Sequence, residues 1–515
     1  MKRAKIHRTI YLSALAMMGG CMVTSTWGAN LMWTVLGVNW LLEGRWHEKG
    51  ERFRQSRLLH AILVMFGVYV VALLWSSNLA EGLSWLQTML PMLVVPLVVL
   101  TSTPVKGNAR KVILWIYVTT VMVVSVIGLV RLLTIPGLPY RDAVPYISHI
   151  RYSLNCCMVI IIACGKLARG EGGVVKKAGL ILLIAWMVVF LTLLRSYTAF
   201  GVLSVVAVVI IFCYRHRWQW MTALGVTAAV VSVLIVSGIR SYYQMTPLAT
   251  EPLRPLTANG RPYLHLQDGL IENGNYVHNY ICLEELQNEW ARRSDVPFDS
   301  VLPSGYTIRG VLVRYMNGLG LTKDSVGMAA LDDGQISEIV AGVENPVYSN
   351  GNIFKRMLYV SLFEYENLRC LHSSEGFSLL QRFALWNASW EVFKEHPWIG
   401  TGTGDLSDEL HGKLQEKAPE LSERITHPYP HSQYITTLTA FGIIGFSIIL
   451  LFFLRASRSL RRQPPLMVAW LTIILLSFLT ETTLGSLAGI LFCTWFLAFR
   501  KETCTNTTHS TTESK

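Results

Sequence analysis

Residues 427–454 of this 515-residue chain read HPYPHSQYITTLTAFGIIGFSIILLFFL. The passage begins as a polar stretch in which prolines separate two histidines, and it continues as a long apolar run. A membrane-spanning α-helix needs about 20 mostly apolar residues, because it rises about 1.5 Å per residue across a hydrocarbon core about 30 Å thick. The passage therefore predicts the point at which a polar outer segment enters a lipid bilayer.

Similar apolar runs recur along the chain. Hydrophobic residues make up 52% of the sequence and charged residues 15%, and the mean hydropathy is +0.39, which is too apolar for a soluble protein. We predict an all-α polytopic membrane protein with about twelve transmembrane helices. The predicted spans lie near residues 9–25, 28–43, 57–76, 82–101, 110–132, 150–168, 177–194, 197–214, 218–239, 432–454, 464–480 and 482–499.

Basic residues alternate between the two sides of these spans. Seven connecting or terminal segments on one side hold 25 Lys or Arg. Outside the long insertion between spans nine and ten, the other side holds only Arg131, Arg141, Arg151 and Arg195. Short cytoplasmic loops collect Lys and Arg, so both termini are expected in the cytoplasm. The formal net charge of +12 then reflects membrane topology and indicates no nucleic-acid partner.

The same topology places the insertion outside, in the periplasm if the source is a Gram-negative bacterium. It carries 16 Lys or Arg and 24 Asp or Glu. We predict spans one to nine in residues 1–239, a large periplasmic loop domain in 240–431, spans ten to twelve in 432–499 and a disordered cytoplasmic tail in 500–515. Cys282 and Cys370 share the loop, and their pairing in an oxidising compartment is left open.

Helical periodicity marks the end of the loop. Between Leu379 and Glu395, apolar and aromatic residues recur at spacings of three and four on one face, which Arg382 begins. Such a stripe is typical of a helix lying on the membrane surface, or of ordinary packing within a folded loop. The following residues 396–404, HPWIGTGTG, indicate a helix stop and a flexible turn.

Three arginines at the outer ends of apolar spans require an explanation, because charge near hydrocarbon is costly unless it reaches the interface or meets an anion. Arg195 lies in a very tight connection between two spans, Arg151 follows His149 at the start of a span, and Arg131 reads as an interface anchor. The guanidinium group binds phosphate oxygens through a bidentate, permanently charged fork. Arg195 and Arg151 are therefore candidate ligands for the diphosphate of a lipid carrier, with snorkelling as the alternative.

His431 lies at the mouth of the tenth span, where a membrane-bound substrate would present its head group. With an ordinary pKa of about 6.5, a neutral imidazole accepts a proton near pH 7, so His431 is a candidate general base. The alternative is an interfacial histidine packed beside Tyr434. A metal pair with His427 is disfavoured, because the intervening prolines break the helix that a four-residue spacing requires.

These motifs together resemble the superfamily of O-antigen ligases and O-antigen polymerases. The resemblance covers roughly residues 180–240 and 375–455, and it rests on the segments Leu194-Arg195-Ser196, Arg382 through Trp386, His396-Pro397-Trp398-Ile399-Gly400-Thr401-Gly402, His431-Ser432-Gln433-Tyr434 and Phe441-Gly442-Ile443-Ile444-Gly445. Residues 313–324, VRYMNGLGLTKD, resemble the longer loop of Bacteroidetes-type members.

The resemblance implies a C-type membrane glycosyltransferase fold. It implies transfer of a glycan from undecaprenyl diphosphate to lipid A-core, to another lipid-linked glycan or to a protein hydroxyl, without metal, nucleotide or other cofactor. By motif position, His431 would be the general base, while Arg195 and Arg382 would hold the leaving diphosphate. Arg151 is a further candidate ligand for that diphosphate because of its place at the start of a span. Lipid A-core is the favoured acceptor, and the polymerase is the closest alternative.

A transporter is the competing class, since twelve helices with both ends inside also suit a carrier. Against it, the spans divide nine and three around the insertion, and charged groups are scarce in the middle of the predicted spans. A third hypothesis is a non-catalytic scaffold with an exported recognition domain, in which Arg195, Arg382 and His431 would be replaceable.

Overall fold

The computed structural model describes residues 2–135, 138, 140–170, 173–194, 196–214, 236–243, 252–267, 269–302, 305–350, 353–367, 378–457 and 464–500. Helices dominate these residues. The helices before residue 215 are α1 (Lys2–Thr24), α2 (Thr26–Glu43), α3 (Trp46–Gln55), α4 (Arg57–Val71), α5 (Leu79–Thr101), α6 (Gly107–Thr134), α7 (His149–Ala168), α8 (Val174–Leu193) and α9 (Tyr197–Tyr214).

The middle of the chain has shorter elements. Two two-residue strands, β1 (Ile271–Glu272) and β2 (Asn275–Tyr276), pair antiparallel. The helices that follow are α10 (Leu283–Arg293), α11 (Ile308–Gly318), α12 (Ser325–Ala329), α13 (Asp333–Val340), α14 (Val347–Asn350), α15 (Ile353–Glu366), α16 (Ser378–Glu395), α17 (Leu406–Lys417) and α18 (Pro419–Arg424). Helices α19 (Gln433–Ser457), α20 (Pro465–Thr480) and α21 (Leu487–Trp495) complete the described residues.

The helices coincide with eleven of the predicted spans, and most of the ninth, 218–239, lies outside the described residues. Three shorter apolar helices cover Thr198–Ile210, Pro465–Thr480 and Leu487–Phe499. Six described segments are long and apolar enough to cross a membrane, namely Arg57–Trp75, Leu79–Thr101, Gly107–Thr134, His149–Ala168, Val174–Leu193 and Gln433–Ala456. An all-α membrane protein is thus confirmed, while the number of twelve spans and the periplasmic location of the loop stay predictions.

The chain forms two compact units. The first comprises Met1–His216, Leu385–Lys413 and His427–Lys515, and the second comprises Arg217–Ala384 and Leu414–Thr426. Residues 385–413 and 427–431 of the predicted loop domain, 240–431, cluster with the apolar helices. The loop domain itself stays a prediction. The predicted helix near 379–395 is confirmed as α16, and it runs across the boundary between the units.

In the first unit, the ends of the chain meet. Helix α1 packs against α2, α6 and α21. The indole Nε1 of Trp495 donates to the carbonyl of Leu15 at 2.8 Å. Gly19 leaves room for that indole, since a Cβ at this position would lie 2.4 Å from a ring carbon. Small residues allow such close approach between membrane helices, so Gly19 and Trp495 join the first helix to the last.

In the second unit, buried apolar residues of α10, α11 and α13 form the core, with Trp290, Leu312 and Ile339 each at most 1% exposed. The strands β1 and β2 are joined by Asn273 and Gly274, which both have positive φ, as a two-residue hairpin turn of this kind requires. This hairpin places Glu272 in the interior.

The core of the second unit also contains a buried ionic cluster. Arg314 Nε donates to Glu272 at 3.1 Å, and Arg314 pairs with Glu344 as well. Burial raises the pKa of Glu272, and the opposing charge of Arg314 limits that rise. Lys323 is fully buried and donates from Nζ to Oδ1 of Asn317 at 2.9 Å. Burial lowers the pKa of Lys323 to about 7, against a partial counter-effect of Glu272.

We expect the stability of the second unit to rise with pH above about 7 because of Lys323. An unfolded lysine keeps its proton up to about pH 10, whereas folded Lys323 loses it near pH 7. The unfolded state thus binds more protons in this window, which lowers the unfolding constant by at most about tenfold per pH unit. Pulse proteolysis of the full-length protein at pH 6, 7.5 and 9 should show the rise, and Lys323→Met should abolish it. An unchanged rise in the variant would refute the assignment.

The helix α19 is broken at Gly442, where φ is 60° and ψ is −171°. In a regular helix, each carbonyl accepts from the amide four residues later. Here the carbonyls of Thr439 and Ala440 accept instead from the amides of Thr401 at 3.2 Å and Gly402 at 2.9 Å. The backbone groups released before the break are therefore bonded by the segment 397–402.

The same segment also bonds the backbone beyond the break. The amide of Ile443 donates to the carbonyl of Pro397 at 2.9 Å, and that of Ile444 donates to the carbonyl of Trp398 at 3.1 Å. An unsatisfied backbone group in hydrocarbon costs several kcal/mol, so a broken membrane helix persists only where other protein groups bond it. The turn that we predicted to be flexible thus follows a defined path, and residues 400–404 are buried.

The residues that follow this segment, 403–405, bond to α4 and to the connection between α4 and α5. The Thr403 hydroxyl donates to the carbonyl of Tyr69 at 2.6 Å. The Asp405 carboxylate accepts from the amides of Ser77 and Asn78, both at 2.7 Å, just before α5 begins. A carboxylate bonds the free amides of a helix N-terminus favourably, so Asp405 fixes the far end of the segment on α5.

We predict that Gly442→Ala destabilises the protein by roughly 1–3 kcal/mol or more. The backbone at Gly442 belongs to a region open almost only to glycine. An added Cβ would also lie 2.4 Å from the carbonyl carbon of Trp398. The midpoint of thermal unfolding of the purified protein measures the effect. Gly412→Ala is the matched control, because a Cβ at Gly412 meets nothing within 4 Å, and equal midpoints for both variants would contradict the prediction.

Candidate functional site

His431 stands in a turn directly before α19. Its φ is 50°, in the left-handed region that few residues other than glycine adopt. The side chain is exposed, whereas Pro430 and Ser432 on either side are buried. Backbone strain of this kind persists only where the surroundings hold it, and it is frequent at functional sites. The turn thus anchors its flanks in the protein and leaves the imidazole at the surface.

The turn is held on one side by α16. The indole Nε1 of Trp386 donates to the carbonyl of Pro430 at 2.7 Å. Trp386 belongs to the predicted aromatic stripe, so at least this member of the stripe packs within the protein. Residues 427–432 are not helical, as expected from the two prolines.

The end of α20 and the connection between α20 and α21 also bond the turn. The amide of Gln433 donates to the carbonyl of Glu481 at 3.1 Å, and Oε1 of Gln433 accepts from the amide of Leu484 at 2.9 Å. The Ser432 hydroxyl donates to the carbonyl of Phe478 at 3.2 Å. The position of His431 is therefore coupled to the ends of α20 and α21.

Glu481 joins this turn to Arg151. Its side chain is only 8% exposed, and its charge interacts electrostatically with Arg151 in the first turn of α7. The Nε atom of Arg151 is buried and has no hydrogen-bond partner among the described residues. The structure thus links the His431 turn to Arg151 through Glu481.

Tyr429 adds a second hydrogen-bonded contact to the turn. Its hydroxyl accepts from Nε1 of Trp85 at 2.8 Å and donates to Oε1 of Glu81 at 3.1 Å. Burial raises the pKa of Tyr429 to about 12, so the hydroxyl stays protonated at physiological pH. The proline-rich passage is therefore fixed against α5.

The other predicted arginines are placed differently. Arg195 lies outside the described residues, between α8 and α9. Arg382 lies on α16 in the second unit and is half-buried. Arg131 donates to the carbonyl of Asp142 at 3.3 Å, which agrees with a structural anchor. Among the predicted phosphate ligands that the structure describes, Arg151 interacts with Glu481, whose carbonyl bonds the amide of Gln433 beside the His431 turn.

One group of potential metal ligands occurs in the described residues. Ligand atoms of Glu395, His396 and Glu409 lie within 4.8 Å of one another. Glu395 and His396 are exposed, and Glu395 pairs with Lys413 at 2.8 Å. Exposed acidic groups are common in proteins without an ion.

Residues 339–450 match the family model described as O-antigen ligase. This range contains α16, the glycine-rich segment 397–402, the His431 turn and most of α19. The matched residues, about a fifth of the chain, support membership of the O-antigen ligase superfamily. The resemblance inferred from the motifs is confirmed at that level. No curated protein matches the chain.

The family match and the apolar helices support an integral membrane protein and, at a coarse level, an enzyme of the membrane glycosyltransferase kind. The family implies a lipid-linked glycan donor and a glycan acceptor. Sequence reasoning missed the parts of Glu481, Gln433 and Tyr429 in the site. Glu481 did leave a signal, because it is the one residue between the predicted spans 464–480 and 482–499, where an acid requires a partner.

We expect Glu481→Gln to lower the thermal unfolding midpoint, because it removes the charge that compensates the partly buried Arg151. Arg151→Met should also destabilise the protein, and the double variant should lose less than both single changes combined. A coupling free energy of about 0.5–3 kcal/mol is typical of groups in direct interaction. Additive losses across this double-mutant cycle would show that the two side chains do not interact.

Proposed function

We propose that the protein transfers a glycan from undecaprenyl diphosphate to an acceptor hydroxyl, with lipid A-core as the favoured acceptor, at the periplasmic face of the bacterial inner membrane. The alternation of basic residues supports this orientation, with both termini in the cytoplasm. The observation that carries the proposal is an apolar groove that begins beside the His431 turn.

The groove is a cavity of about 250 Å³ in the first unit, between α4, α19 and α20. Gln433, Tyr434 and Thr437 line its end beside His431, and Leu454 and Ala456 line its opposite end. Its lining residues on α19 thus lie on both sides of Gly442. None of its described lining residues is charged. A long apolar path that ends in polar side chains suits a polyprenyl chain whose head group emerges at the His431 turn.

The proposed reaction begins with a proton transfer. The neutral imidazole of His431 accepts the proton of the acceptor hydroxyl, and the oxygen attacks the anomeric carbon of the donor sugar. The bond from that carbon to the diphosphate oxygen breaks with inversion, and undecaprenyl diphosphate leaves. The exposed, strained turn supports this role, since it presents the imidazole while its neighbours hold the backbone.

The leaving diphosphate gains charge as its bond to the sugar breaks. Fixed cations that meet this charge lower the barrier, and guanidinium groups suit phosphate oxygens. Arg151 supports such a role through its place in the first turn of α7 and its electrostatic interaction with Glu481 beside the His431 turn. Arg195 and Arg382 are assigned to the diphosphate by the family resemblance alone. With these cations, the proposed step needs neither a metal nor a nucleotide.

The test is complementation of a deletion strain with wild type, His431→Ala or His427→Ala at matched expression. We expect His431→Ala to lower glycan transfer by about 10²–10⁴-fold, as is typical for loss of a general base. His427→Ala is the matched control, because His427 is also exposed and belongs to the same passage, and it should restore transfer. Surface glycans and lipid-linked intermediates are measured by gel electrophoresis and mass spectrometry.

The products left by His431→Ala distinguish the acceptors. Bare lipid A-core with accumulated lipid-linked chains indicates a ligase, whereas a single repeat on the core indicates a polymerase. Loss of glycan from protein alone indicates a protein oligosaccharyltransferase. Full restoration by His431→Ala would refute the proposed mechanism and favour the transporter or the scaffold.

A further inference from the structure

The glycine-rich segment lies at the depth of the helix break. Both halves of α19 bond to residues 397–402 around Gly442. The break is nine residues from the start of the helix at Gln433. At about 1.5 Å per residue, Gly442 lies roughly 13 Å along the helix from the His431 turn. Residues 397–402, which bond to α19 around Gly442, therefore lie at about the same distance from the level of the His431 turn.

The level of the membrane surface follows from α20. This helix contains no charged residue. Its 16 residues give a length of about 24 Å, which is shorter than a hydrocarbon core of about 30 Å. Its end at Thr480 is followed by Glu481, and a charged side chain is costly inside hydrocarbon, so this end is placed near the edge of the hydrocarbon. The next residue, Glu481, bonds the amide of Gln433, so α19 begins at that same level.

A second measure agrees with this depth. Thr403 bonds to the carbonyl of Tyr69, six residues before the apolar segment Arg57–Trp75 ends. Six residues correspond to about 9 Å of helix. Asp405, two residues later, bonds to the amides of Ser77 and Asn78 beyond that end. The chain thus rises from the level of Tyr69 toward the membrane surface between Thr403 and Asp405.

The side chains at this depth are apolar and exposed. Trp398 is 66% exposed and Ile399 is 47% exposed. They adjoin Ile443 and Ile444 of α19, whose exposed fractions are 43% and 49%. These four residues form one apolar surface, which continues along α19 through the exposed Leu451. A surface continuous with a membrane helix is covered by the same medium as that helix.

We propose that residues 396–403 form a re-entrant membrane segment whose tip, Trp398 and Ile399, contacts lipid acyl chains. Non-helical backbone is tolerated in a bilayer only where protein bonds it. The segment meets this condition through its bonds to α19 and α4. The occupant of the exposed face is therefore the hydrocarbon of the bilayer, and a partner protein or water are the alternatives that the test must exclude. The inference rests on backbone contacts and does not depend on the proposed reaction.

Hydroxyl-radical footprinting of the unmodified protein in lipid nanodiscs tests the assignment. Trp398 is 66% exposed and Tyr306 of the second unit is 48% exposed. If acyl chains cover Trp398, its oxidation rate, corrected for intrinsic reactivity, should be at least about tenfold below that of Tyr306. Comparable rates for the two residues would show that the tip faces water and would overturn the proposal.

A second experiment distinguishes lipid from a protein partner. A fluorescent amino acid is encoded at Ile399, at Leu451 as the lipid-facing reference, and at Glu48 as the aqueous reference. We expect lipids brominated in their acyl chains to quench positions 399 and 451 to a similar extent, and iodide to quench position 48 alone. Protection of position 399 from both quenchers would indicate a protein partner and reject the lipid assignment.

Discussion

A membrane helix that is broken at Gly442 can exist only if other groups bond the backbone atoms that the break releases. In this protein, residues 397–402 supply four hydrogen bonds to Thr439, Ala440, Ile443 and Ile444. The bonds join the glycine-rich segment to α19, and Thr403 and Asp405 join it to α4 and α5. Helix α16 precedes this segment and bonds the His431 turn through Trp386. Helix α16 thus connects the turn of the candidate base to the segment that bonds the broken helix.

The charged groups near the turn also compensate one another. Arg151 lies in the first turn of a membrane helix, where an uncompensated charge would be costly. Glu481 supplies opposite charge and, through its carbonyl, the partner of the Gln433 amide. One residue thus contributes both to the charge balance of the arginine and to the backbone of the histidine turn. In the second unit, Glu272 and Arg314 form a buried pair that serves the core of that unit.

Much of the fold was predicted from patterns of apolar and aromatic residues that lie close together in the sequence. Apolar runs correctly placed eleven helices, and the spacing of Arg382, Trp386 and the aromatic residues after it correctly predicted α16. These features depend on residues close in sequence. The break at Gly442 was missed, because a glycine in an apolar run also fits an intact membrane helix. The path of residues 397–402 was missed as well, since its partners are about 40 or more than 300 residues away. Gly400 and Gly402 looked like a flexible turn, although close packing is what excludes side chains there.

The order of these segments along the chain bears on how the protein is made. Helix α19 enters the bilayer with backbone groups that it cannot bond by itself. Its partner, the segment 397–402, precedes it in the chain and has always been synthesised by then. Helix α4 has been inserted earlier still, and its Tyr69 carbonyl is 334 residues from Thr403. The groups that complete the broken helix have therefore already been synthesised when that helix enters the bilayer.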